Sequence, residues 1–144
     1  MKTFFVVALL SLAGLGQANA QHWREGRWDG ERVKQLAHDL DEAAEHVHIQ
    51  AERETDNQWG RDSRAIMALH EFAEAAEHFH RQVESYSNDP RHTQNDFYNL
   101  TYAYRDASRA MHYARFSEHV LRDWYEAEDA FRQLRRYYRG GGHH

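Results

Sequence analysis

From Asp29 onward, apolar residues return at alternating steps of three and four, a spacing that lines one face of an α-helix and fits no strand. Val33, Leu36, Leu40, Ala43 and Val47 form a first stripe, and Ala65, Ala68, Phe72, Ala75, Phe79 and Val83 a second. A third runs through Phe97, Leu100, Tyr104, Ala107, Met111 and Ala114. Continuing it would bury Glu118, Glu128, Arg132 and Arg135, whereas a shifted phase selects Val120, Trp124, Ala127, Phe131, Leu134 and Tyr138. The chain must therefore break near residues 115–118, with Ser117 as the cap of a fourth helix.

The other boundaries carry their own signals. Asp29 is placed to cap the first helix, and residues 55–60 to stop it. Ser87-Asn88-Asp89-Pro90 is the strongest break in the chain: Asp89 can cap, and Pro90 fits a first helical turn, where its missing N–H costs nothing. The expectation is an all-α, up-down-up-down four-helix bundle over residues 29–139, with helices near 30–54, 62–87, 90–114 and 118–138. Helices of that length are about 35 Å long. The Phe, Tyr and Trp stripe reads as bundle core, not as a cofactor box. Residues 21–28 form an N-terminal extension with two tryptophans, and 140–144 a disordered Gly/His tail.

The N-terminus reads as an address. Lys2, an apolar run from Phe4 to Leu15 and the exit Ala18-Asn19-Ala20 have the layout of a secretory signal peptide cleaved after Ala20. About twelve mostly apolar residues are too few for a bilayer core that needs about 20. The mature chain is expected to be exported, periplasmic or extracellular, with no membrane span. Removing residues 1–20 takes away Lys2 and no acid, so 18 basic residues become 17 against 23 acidic, a formal charge of -6. That sign and that compartment both argue against a nucleic-acid partner.

With no cysteine anywhere, disulfides, thiolate zinc sites, c-type haem attachment and cysteine nucleophiles are excluded. No G-x-S-x-G, HExxH or Gly-rich phosphate loop is present, and no serine has an evident acid-base partner, so the chain is not expected to be an enzyme. What remains is histidine, twelve in 144 residues. Residues 38–52 read HDLDEAAEHVHIQAE and residues 70–84 HEFAEAAEHFHRQVE, an internal repeat at an offset of 32. It keeps His38/His70, Glu42/Glu74, Glu45/Glu77, His46/His78 and His48/His80, while core positions such as Leu40/Phe72 and Val47/Phe79 vary.

At about 100° per residue, with His38 set to zero, Leu36, Leu40, Ala43 and Val47 fall between roughly 140° and 200°. His38 then points away from the core, with Glu42 and Glu45 beside it and His46 and His48 near +80° and -80°. Glu45-x-x-His48 and Glu77-x-x-His80 match the spacing of di-metal carboxylate bundles, but this phase aims both glutamates at solvent. A surface or inter-helix site is less constrained. If the first two helices turn near residue 58, positions summing to about 116 lie level, which pairs His46 with His70 and His38 with His78. Imidazole and carboxylate without thiolate suit Zn²⁺, Cu²⁺ or Ni²⁺.

The candidate metal ligands are therefore His38, Glu42, Glu45, His46, His48, His70, Glu74, Glu77, His78 and His80. Gln21-His22 at a new N-terminus and the terminal His143-His144 could chelate a metal loosely. A second use of the same residues is proton sensing: twelve protonated histidines would carry the mature chain from -6 to +6, as an acid-responsive binding or chaperone-like protein would need. A structural or interaction module with no ligand, paired with another protein or with itself, is the plain alternative.

Overall fold

The computed structural model describes residues 28–55 and 63–139. Four helices account for nearly all of them: α1 Gly30–Thr55, α2 Ser63–Tyr86, α3 Pro90–Tyr113 and α4 Glu118–Arg139. No strand occurs among the described residues, and every helix end falls within one residue of its expected place. The leader at 1–20, the extension apart from Trp28, and the 140–144 tail lie outside the described residues. So do both loose chelation sites, at Gln21-His22 and His143-His144.

The caps explain why the helices begin where they do. Asp29 Oδ1 accepts the Arg32 N–H at 3.0 Å, and Asp89 Oδ1 accepts those of Arg91 and His92 at 3.1 and 3.4 Å, with Pro90 opening α3. Ser117 Oγ accepts from Val120 N at 3.4 Å at the head of α4. The Glu54 carboxylate takes the Ser117 N–H at 2.9 and 3.2 Å, which ties the last turn of α1 to the first of α4.

Cross-helix contacts fix the directions. His38 meets His80 and His48 meets His70, so α1 and α2 are antiparallel. Phe79 meets Phe97 and Phe72 meets Tyr104 across α2 and α3, while Arg32 reaches Gln133 and His46 reaches Asp123 across α1 and α4. Successive helices therefore alternate in direction around a four-helix bundle. Its centre holds Leu40, Phe72, Phe79, Leu100, Phe131 and Leu134, all fully buried. Each such side chain contributes about 1.5–3 kcal/mol of transfer free energy.

Among neighbouring helices, the backbones of α3 and α4 approach each other least. Rings fill the space between them. Tyr138, Phe97, Phe131, Tyr104 and Trp124, alternately from α4 and α3, stack at centroid spacings of 4.2, 5.8, 4.0 and 5.9 Å with planes within 20° of parallel. The two phenols in this ladder are satisfied: Tyr104 donates to Glu128 Oε1 at 2.9 Å, and Tyr138 shares a 2.7 Å bond with the buried Thr93 hydroxyl. Burial, reinforced by the neighbouring Glu128 carboxylate, pushes the Tyr104 hydroxyl up to about 12; burial raises that of Tyr138 further.

One end of the bundle is closed by Trp28, edge-on to Tyr138 at 5.1 Å, with its indole N–H donating to the Ser87 carbonyl at 2.6 Å. Gly30 packs beneath it, where a Cβ would stand 2.6 Å from that same carbonyl. Among the described residues, no helix is long and apolar enough to cross a membrane.

Candidate metal centre

The buried edge of α1 that faces α2 is made of small residues. Asp41 and His48 both reach α2, and Ala37, Ala44 and Ala51 lie within about 80° of them around the helix. On α2, Leu69, Ala73, Ala76 and Val83 occupy the equivalent positions, all buried. Small side chains let the two backbones approach, and the residues on the rim of the seam then meet.

Four histidines meet there, in two pairs. His38 and His80 have ring centroids 5.2 Å apart, and His48 and His70 5.0 Å. Both pairs sum to 118, not 116, so His38 faces His80 instead of His78, and His70 faces His48 instead of His46. The cause is azimuth: on each helix His48 and His80 lie on the alanine side, while His46 and His78 lie about 160° away around the axis. His38 also differs from its expected outward aim, its half-buried imidazole lying over the rim against His80.

Each of these four histidines presents its Nε2 to the carboxylate four residues on. The distances are 3.4 Å for His38 to Glu42, 3.6 Å for His80 to Glu84, and 3.3 Å for both His48 to Glu52 and His70 to Glu74. The seam thus carries two levels of the same composition. Each level pairs the first histidine of one H-x9-H stretch with the second of the other, as an antiparallel pair of like helices requires. At 1.5 Å per residue, ten residues separate the levels by about 15 Å.

The levels differ at two positions. Lys34 Nζ lies 3.5 Å from Glu84 Oε2, whereas the equivalent of Lys34 on α2 is Ile66. His80 Nδ1 lies 2.8 Å from Asp41 Oδ2, but the residue equivalent to Asp41 on α2 is Ala73. His48, the equivalent of His80, is buried with its Nδ1 lacking any hydrogen-bond partner. One substitution within the repeat accounts for that orphan atom.

The other candidate ligands go elsewhere. His46 turns to α4, where its Nδ1 stands 3.7 Å from the buried Asp123 carboxylate, and Gln50 contacts its Nε2 at 3.2 Å. His78 turns to α3 and meets Asp96 at 3.0 Å. Glu77 pairs with Arg81 at 2.7 Å, and Glu45 is exposed, so neither glutamate joins a histidine pair. The seam brings together His38, Glu42, His48, His70, Glu74 and His80; Glu45, His46, Glu77 and His78 stay outside it.

Asp41, Glu52, Glu84, Asp96 and Asp123 were not among the expected site residues. Glu52 and Glu84 had a visible signal, since both stand four residues after a repeated histidine. Asp96 and Asp123 had a fainter one. At an offset of 27, α3 and α4 share Asp96/Asp123, Tyr98/Tyr125, Arg105/Arg132 and Arg109/Arg136, with Phe97/Trp124 and Tyr104/Phe131 aromatic in both. Asp41 had none, because its role exists only across the seam.

Among the described residues, no three histidine or acidic side chains already close around one point. No protein-family model, no curated protein and no solved structure matches this chain significantly.

Proposed function

We propose that this chain is an exported, non-enzymatic helical bundle that binds a divalent ion, Zn²⁺, Cu²⁺ or Ni²⁺, at the two histidine levels of the α1–α2 seam. The observation that carries the reading is the imidazole spacing, 5.2 and 5.0 Å between ring centroids. Two imidazoles on one tetrahedral ion, with metal–nitrogen bonds of 2.0–2.1 Å, put their ring centres about 5 Å apart. The Nε2-to-carboxylate distances of 3.3–3.6 Å are long for hydrogen bonds and close to the edge of such a tetrahedron, about 3.3 Å.

Each level therefore offers two nitrogens and two carboxylates: His38, Glu42, His80 and Glu84 at one, His48, Glu52, His70 and Glu74 at the other. The donors must still rotate inward onto the ion, which costs about 0.5–1.5 kcal/mol for each side chain ordered. A formal charge of -6 on the mature chain favours a cation, and the leader-like residues 1–20 support export.

Calorimetric titration of the mature protein with Zn²⁺, Cu²⁺ and Ni²⁺ tests the reading. Two ions per chain are expected, with no binding to a variant in which His38, His48, His70 and His80 are all glutamine. A variant lacking His46 and His78 should bind as the native chain does. Equal binding by native protein and the fourfold variant would sink the proposal.

A further inference from the structure

We propose that Asp41 is a positioning residue that makes the His38/His80 level the tighter of two unequal metal sites. The inference rests on the metal reading above and concerns the one of the two differing positions that touches an imidazole nitrogen.

A carboxylate only accepts hydrogen bonds, so the 2.8 Å contact from His80 Nδ1 to Asp41 Oδ2 places the proton on Nδ1. The lone pair is then on Nε2, the atom that faces Glu84. Asp41 and His80 are both only about one-fifth exposed, so water competes little for this bond. A carboxylate holding the far nitrogen of a ligating imidazole fixes both tautomer and ring orientation and raises the basicity of the ligand. His80 is held ready for an ion before the ion arrives.

At the other level the same ring has the opposite bias. His48 Nδ1 is buried and faces no partner, because Ala73 stands where Asp41 stands in the repeat. A proton on that nitrogen would be a buried donor with nothing to receive it. The proton is better placed on Nε2, where the Glu52 carboxylate lies 3.3 Å away. Nε2 is also the nitrogen an ion needs. Binding at this level must move the proton from Nε2 to the orphan Nδ1, a step His80 avoids.

The test uses Zn²⁺ and two backgrounds that isolate the levels. H48Q/H70Q keeps only the His38/His80 level, and H38Q/H80Q keeps only the His48/His70 level. The first should bind Zn²⁺ at least tenfold more tightly than the second. Adding D41A to the first should weaken it by ten- to a hundredfold, the usual effect of losing such a partner.

Nitrogen-15 spectra of the metal-free protein supply a readout that a merely structural role would not move. His80 should appear as the Nδ1–H tautomer and lose that signature in D41A, while His48 should appear as Nε2–H. Adding A73D to the second background should tighten it. Ala73 is buried, so this gain is sought only if the variant melts cooperatively, and D41A with the spectra decides the matter without it. Equal affinities at the two levels, or affinity that D41A leaves unchanged, would overturn this inference while leaving the metal reading intact. No Zn²⁺ binding by the native chain overturns both.

Discussion

Along the α1–α2 seam the buried positions are small, chiefly Ala37, Ala44, Ala51, Ala73 and Ala76; along the α3–α4 seam they are Phe97, Tyr104, Trp124, Phe131 and Tyr138. Alanines let two backbones close up until the side chains on their rims touch. Rings hold the backbones apart, and the rim residues of α3 and α4 border an open groove of about 540 Å³ beside Tyr104, Met111, His112 and Tyr125. Both pairs of helices are antiparallel and both carry polar rims. The size of the buried residue decides whether those rims meet, and with it where imidazoles from different helices can share a ligand.

The largest effect should come from breaking the aromatic seam. Phe131 stacks on both Tyr104 and Phe97 and is almost wholly buried, so Phe131→Ala should cost about 3–5 kcal/mol in urea unfolding. Zn²⁺ stoichiometry of the folded protein should stay at the native value, because the α1–α2 seam is untouched. Making the small seam large is the converse. Ala44→Phe should cost about 1–3 kcal/mol by overpacking and, by wedging α1 from α2, abolish Zn²⁺ binding at both levels.

A smaller effect has the opposite sign. His48→Leu removes a buried nitrogen without a partner and gives up only an ion pair with the half-exposed Glu52. The metal-free protein should gain about 1–2 kcal/mol, and under the proposed function its Zn²⁺ stoichiometry should fall from two to one. Smaller again, Met111→Phe should add about 0.5–1 kcal/mol. Met111 stands 27 residues before Tyr138, at the end of the ladder where no ring fills the groove.

The last test is silent at neutral pH. Tyr104, raised from 10.0 to about 12, and Tyr138, raised further, hold their protons more tightly when folded than when unfolded. Their contribution to stability is complete below pH 10 and is lost as pH climbs through 12 and beyond. Ultraviolet titration should show two of the eight tyrosines ionising late, together with a fall in urea midpoint above pH 10.

The helices were almost fully legible. Asp29, Asp89-Pro90 and Ser117 announced three starts because a cap is satisfied by its own next turn, and the phase shift after Ala114 announced the last break because α3 and α4 each keep one stripe inward. The meeting of histidines across the first two helices was legible, and its register was misread. A sum of 118 in place of 116 moves the contact from His46 and His78 to His48 and His80, a change of about 160° around each helix. His46 and His78 were then free to meet Asp123 and Asp96 on the outer helices.

The sequence by itself determined the four helices, their ends, and which residues carry imidazole and carboxylate at steps of four, since periodicity and capping act within a turn or two of chain. Only the tertiary structure decided which histidine faces which and that Asp41 holds His80 while His48 is left without a partner. Those outcomes depend on how the small residues of two helices interlock across a seam, a relation between residues about 20 to 40 positions apart that no local pattern encodes.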